Sequence, residues 1–411
     1  MAAAVAGIRK GASTEEARYL VRALRGLSRV RKHLTAEVLA TAISRLASAA
    51  ERAALLALFG GSEVASEGAE GEPAAAVFEV DGYLHLLAVV HLLDQGDFKR
   101  AVPAAEALVQ RLQAQPRHTA NELLAKAYFY LGRVHELNGT DSALRATLHA
   151  ALRTATLRKD YASQAALINL LLRNYISANL IAQAEMLVTK TVFPESASNA
   201  EAARYLYYLG RIRAVQLDYS EAHSHLEAAT RKAAKTAVGF LQTAHKLAVI
   251  VQMLLGEIPE RDLFRQPELR RSLQPYFQLT QAVRIGDLNR FQDTVKQYRD
   301  VFCRDKNYKL ILRLRHNVIK TGIRMINVSY SRISLADIAT KLQLDSAEDA
   351  EFLVAKAIRD GVVDASIDHD QGFVRSNEIL DVYSTLDPQD NFHQRIQFCL
   401  KLHTDSVKVN D

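Results

Sequence analysis

The chain has 411 residues, of which 18 are Gly, 8 are Pro and none is Trp, and its formal net charge is +6. That length allows two or three domains with ample cores. So few helix breakers among so many Ala and Leu favour helix, and speak against a β-sandwich, a collagen-like chain or a mostly disordered one. The first residues are apolar and only then basic, the wrong order for a secretory signal, and Glu15, Glu16 and Glu37 argue against a transit peptide. Residues 15–59 read as two amphipathic helices, one with Leu20, Leu24 and Leu27 on a face, the next with Val38, Leu39, Ile43 and Leu46. The stretch from Gly60 to Pro73 is rich in Gly and Glu with almost nothing to bury, the composition of a flexible acidic linker. The longest strongly apolar run, Leu84 to Leu93, contains His85 and His91. It is shorter than the roughly 20 residues of a spanning helix, so no membrane crossing is expected.

From Tyr83 onwards a pattern repeats. Turn residues between apolar stretches stand at Gly96, Gly139, Asn179, Asp218, Gly256 and Gly286, at separations of 43, 40, 39, 38 and 30. Such intervals are those of stacked helical hairpins, each burying its apolar face on the next. Tyr130-Leu-Gly-Arg-Val134 matches Tyr208-Leu-Gly-Arg-Ile212, 78 residues later. The small Gly of each copy admits a close neighbouring helix.

After Gly286 the rhythm changes. Tyr308 to Ile326 reads as a long helix, Tyr330 to Ser334 as a short extended link, and Leu335 to Leu342 and Ser346 to Asp360 as two helices, with Ser346 an N-cap and Gly361 a stop. Val362 to Ile367 and Gly372 to Arg375 then read as strands joined by Asp368-His-Asp-Gln371. Helix, helix and hairpin in this order make a winged helix. Pro388 begins a last helix, on which Phe392, Ile396, Cys399 and Leu400 form an apolar stripe.

Charge is segregated. Residues 290–332 hold 11 Lys and Arg against 3 acids, and residues 333–411 hold 7 against 15. Lys309, Arg313, His316, Lys320 and Arg324 share one face of the long helix. They form either a solvated basic stripe or a docking strip for an acidic neighbour, with this chain's own acidic winged helix turned outward. A DNA-reading winged helix needs Lys, Arg, Asn or Gln at the start of its second helix. Here Glu348, Asp349 and Glu351 stand there, which points to protein partners instead. Burying Phe392, Ile396 and Leu400 contributes about 5–9 kcal/mol gross, against an association cost of about 4–15 kcal/mol. The last helix can therefore tip an assembly but needs a second contact surface.

No phosphate loop, dinucleotide fingerprint, nucleophile elbow or HExxH motif occurs, so neither enzyme activity nor a cofactor is expected. His223 and His225 have the spacing of a metal-dependent isopeptidase, but no Asp follows in the stretch to Thr236, and they read as polar positions on a helix. Asp368, His369 and Asp370 read as turn formers rather than ion ligands. Cys303 and Cys399 are 96 positions apart with no CxxC, as for free thiols in a reducing compartment and no structural metal.

A helical-repeat array running into a winged helix is the architecture of PCI domains. The stretches Tyr308 to Arg324, Ser329 to Ala339 and Ala355 to Val363 resemble the PCI-domain subunits of the 26S proteasome lid, and Tyr83-Leu-His-Leu-Leu87 and Gly210-Arg-Ile-Arg213 also fit. The resemblance runs from about Tyr83 to His403. It departs in the Ala- and Arg-rich first 60 residues, and at Asp411, beyond which relatives usually carry a charged tail. It implies a mainly α fold, a right-handed α-solenoid of TPR-like helical hairpins ending in a PCI domain whose winged helix carries a small antiparallel sheet. The expected organisation is an N-terminal helical segment (1–59), the acidic linker (60–82), TPR-like repeats (83–202), the helical part of the PCI domain (203–330), its winged helix (331–384) and a C-terminal helix (385–411). It also implies a non-catalytic scaffold of the regulatory particle in ubiquitin-dependent degradation, in cytoplasm and nucleus. That scaffold would join other lid PCI subunits through winged-helix edges and a shared helical bundle, without nucleic acid or membrane. Two other readings stand beside this one: a PCI scaffold of the COP9 signalosome or of a translation initiation factor, and a nucleic-acid-binding PCI protein.

Overall fold

The computed structural model describes residues 2–57, 77–115, 117–344, 346–377 and 386–410. The chain forms two compact units, Met1–Val251 and Gln252–Asp411.

In the first unit, α1 (Ala2–Thr14), α2 (Ala17–Arg25), α3 (Leu27–Lys32), α4 (Ala36–Leu46) and α5 (Ala49–Ala57) precede α6 (Phe78–Gln95) and α7 (Phe98–Ala114). Then come α8 (Asn121–Asn138) with α9 (Asp141–Leu157), α10 (Tyr161–Ser177) with α11 (Ile181–Lys190), and α12 (Asn199–Val215) with α13 (Tyr219–Lys232), followed by α14 (Val238–Leu255). Residues 15–57 thus hold four helices rather than two, and α1 precedes them. Val5, Ile8, Leu20, Leu24, Leu39 and Ile43 enter one continuous core with α6 and α8, whereas Val38 is 45% exposed. Most of the acidic linker lies outside the described residues. Its last acids do not behave as linker: Glu79 and Asp81 are buried on α6. Thr119 Oγ1 donates to Glu79 at 2.8 Å, while the Ser48 N–H and Arg111 donate to Asp81 at 3.0 and 3.2 Å.

The turns at Gly96, Lys159 and Leu217 share one device. A residue in the left-handed region ends a helix, the next N–H reaches back to a carbonyl of the last turn, and an Asp caps the following helix. Lys159 (φ 55°) and Leu217 (φ 77°) occupy that strained position without being Gly. Asp160 and Asp218 then accept the N–H groups of Ser163 and Glu221 at 3.2 and 3.4 Å. Side-chain-free positions allow tight stacking, as expected. A Cβ on Gly132 would lie 2.8 Å from Leu170 of α10, and one on Gly210 would lie 2.8 Å from Leu226 of α13. By length and composition the 18-residue α14 is apolar enough to cross a membrane, although its polar residues break any strongly apolar run. Ala244, Leu247, Val249, Ile250, Val251 and Met253 of it are buried, while well under half of the stretch as a whole is.

The second unit continues with α15 (Arg261–Arg265), α16 (Pro267–Ile285), α17 (Leu288–Gln297), α18 (Arg299–Arg304) and α19 (Tyr308–Ser329). A Cβ on Gly286, which ends α16 at φ 77°, would fall 2.6 Å from Gly322 Cα, so α16 and α19 meet backbone to backbone. The winged helix follows as β1 (Arg332–Ser334), α20 (Leu335–Leu342), α21 (Ala347–Arg359), β2 (Ala365–Asp368) and β3 (Phe373–Ser376), and then α22 (Asp387–Asn410). The extended link after α19 proves to be a strand. The antiparallel sheet runs β1-β3-β2, with Val374 opposite both Ile333 and Ile367. Ile333 and Val374 are buried, as are Ile338, Leu342, Ala350 and Val354, which fill the core of the winged helix.

Candidate protein-interaction surfaces

The basic strip lies along α19, which buries Leu310, Ile311, Leu314 and Val318 on its other side and Ile323 beside the strip. Lys309, Arg313 and Arg324 are exposed, while His316 and Lys320 are half-buried. Lys320 Nζ sits 2.8 Å from Asp360 Oδ2, at the C-cap of α21, and its hydrogen bond holds that carboxyl below the usual range. Burial, then the cations of Lys356 and Lys320, push His316 down. Part of the strip is therefore engaged by the chain's own winged helix, and Lys309, Arg313 and Arg324 are what it leaves facing solvent.

The acids of α21 also divide. Ser346 Oγ accepts the Asp349 N–H at 3.1 Å and fixes the first turn, where carboxylates favour the helix dipole. Glu351 Oε1 lies 2.8 Å from His369 Nδ1 at the hairpin tip, and this hydrogen bond raises the imidazole pKa. Glu351 thus ties the wing to α21, whereas Glu348 and Asp349 project into solvent. At the same tip, Asp368 Oδ1 accepts the Gln371 N–H at 3.2 Å. Among the described residues no group of three or more His, Cys, Asp or Glu could hold a metal ion.

On α22, Phe392 (64%), Ile396 (57%) and Leu400 (61%) are exposed, and so is Cys399. Phe398 and Leu402, about a third of a turn away around the axis, are 44% and 38% exposed and form a second apolar ridge that the single-stripe reading missed. Both cysteines are free. Sequence reasoning also passed over Phe352, 74% exposed on α21. Its signal was phase: Ala350, Val354 and Ala357 define the buried face of that helix, and Phe352 falls outside it.

Comparison with known proteins gives three family matches in chain order. Residues 2–280 match PSMD3-like N-terminal TPR repeats, residues 295–378 match the PCI domain, and residues 381–409 match the C-terminal family of proteasome regulatory subunits. The chain is 52% identical over 410 residues to the probable 26S proteasome non-ATPase regulatory subunit 3 of Drosophila melanogaster, covering 98% of this chain and 83% of that protein. It is 47% identical over 412 residues to the probable 26S proteasome regulatory subunit rpn3 of Schizosaccharomyces pombe, with the same 98% and 83% coverage. It is 44% identical over 420 residues to the 26S proteasome non-ATPase regulatory subunit 3 of Dictyostelium discoideum, again covering 98% and 83%.

Proposed function

The chain belongs to the family of 26S proteasome non-ATPase regulatory subunit 3, and from that premise we propose that it is a non-catalytic scaffold of the regulatory-particle lid. It serves ATP-dependent degradation of ubiquitinated proteins by holding neighbouring subunits, not by chemistry of its own. The observation that carries this reading is α22. From Gln389 to Thr404 every residue of that helix is exposed, with apolar ridges on two sides. A helix apolar over so wide an arc is suited to burial among several other helices. The winged helix supplies the second surface that such a helix requires.

Its partners are the other PCI subunits of the lid and further regulatory-particle subunits, met in cytoplasm and nucleus. The two exposed free thiols suit those reducing compartments. Nucleic acid is not a partner on this reading, because Glu348 and Asp349 occupy the leading turn of the helix that would enter a groove. Mass spectrometry of the proteins that co-purify with a tagged full-length chain tests the proposal. Lid subunits together with proteasomal ATPases are expected. Recovery of signalosome or initiation-factor subunits in their place overturns it.

A further inference from the structure

The exposed face of α21 has a self-complementary layout. Phe352 stands at its centre, 74% exposed. One turn before it is Glu348, beside Asp349, and one turn after it is Lys356, with Arg359 a further turn along; all four are exposed. Acids in a first turn and bases in a last turn complement the helix dipole, so the charges alone call for no partner. An aromatic ring held out in water between them is a different matter, since the dipole gives no reason for it. The remaining face of the helix is occupied: Ala350, Val354 and Ala357 are buried, Glu351 is tied to His369, and the C-cap Asp360 is tied to Lys320.

Positions 348 and 356 lie symmetrically about 352. Turned by 180°, the face therefore matches itself: Glu348 meets Lys356, Lys356 meets Glu348, and the two Phe352 rings meet at the centre. Such a two-fold arrangement is an isologous contact. We propose that the free chain pairs with a second copy of itself through antiparallel α21 helices, with Phe352 on the dyad and Glu348–Lys356 ion pairs on both sides. One aromatic ring and four charges per copy form a patch below the roughly 1,000 Å² of a stable interface. The pair is accordingly weak and salt-sensitive, and it covers Phe352 only while the chain is outside a larger assembly.

The test is sedimentation of the purified full chain over a range of concentrations, at low and high salt. Concentration-dependent dimer is expected, weakened about tenfold by Phe352→Ala, since a central buried aromatic anchor contributes at least that much. Glu348→Lys alone sets Lys against Lys across the dyad, and Lys356→Glu alone sets Glu against Glu, so each variant is expected to be monomeric by itself. Mixed in equal amounts, the two variants pair every Lys with a Glu and are expected to associate again. Far-UV circular dichroism of each variant checks that α21 still folds. A chain that stays monomeric at all concentrations overturns the proposal, as does dimerisation indifferent to these charges, which would place the contact elsewhere, on α22 for example. Failure of the mixture to associate while both variants are folded also overturns it.

Discussion

Two helices of this protein both carry large aliphatic and aromatic side chains, α6 more densely than α22, and they meet opposite fates. In α6 every residue from Phe78 to Leu92 is buried, including Glu79, Asp81, His85 and His91. In α22 Phe392, Ile396, Phe398, Leu400 and Leu402 all face water. Neither helix shows a single apolar stripe against a clean polar face. For α6 the reason is that α1, α3, α4, α5, α7 and α8 cover it from several sides within one unit. For α22 no comparable cover exists among the described residues. An apolar ridge on a helix calls for cover, and whether the chain itself supplies that cover is decided by what else folds around it.

The sharpest way to break this contrast is a matched pair of truncations. Leu87→Ala, at a fully buried site on α6, should cost about 2–5 kcal/mol in denaturant unfolding. Ile396→Ala on α22 should change the stability of the free chain by no more than about 0.5 kcal/mol, yet reduce its recovery with regulatory-particle subunits. Equal destabilisation by both would mean that α22 is packed in the free chain.

A second measurement uses pH. Burial, reinforced by the Arg111 cation, lowers His85 on α6 to about 4. Its unfolded value is near 6.5, so between these two limits the unfolded state binds the extra proton and stability rises with pH. The contribution is complete above about pH 6.5 and is lost as the pH falls towards 4, a change of about 3 kcal/mol. Denaturation midpoints of wild type and His85→Gln across that range should differ in slope, the variant being less acid-sensitive.

The smallest effect is expected at an exposed histidine with the opposite shift. Glu351 raises the pKa of His369, so the link between wing and α21 is complete below about pH 6.5 and fades as the pH rises through the higher folded value. Titration of the imidazole by NMR should give a midpoint above 6.5 in the wild type, moving down in Glu351→Gln. An unchanged midpoint in the variant would remove the tie between wing and helix.

Much of the architecture was legible in local pattern. Asp97, Asp218 and Asp287 follow turn residues and accept N–H groups of the next helices, so both helix boundaries are marked within a few positions. The turn at Lys159 went unread because a Lys in the left-handed region carries no compositional signal. Helix α1 was missed for a related reason: Ala-rich sequence favours helix but shows no apolar period. Strand β1 spans only three residues and owes its existence to β3, some forty positions away. In the candidate surfaces, spacing placed five basic residues along α19, but Asp360 as the partner of Lys320 could not be read from it.

The sequence by itself determined what is settled by near neighbours: helical class, the hairpin rhythm, the order of elements in the winged helix and the segregation of charge. Caps, periodicity and turn chemistry act over a few residues and leave their marks there. Tertiary structure alone decided which apolar faces were covered and which charges were already paired. Burial of α6 and exposure of α22, the Arg111–Asp81 contact inside the first unit, and the Glu351–His369 tie in the second depend on side chains brought together from distant positions. Hydrophobic burial and ion pairing are set by distance in space, and composition does not encode that distance.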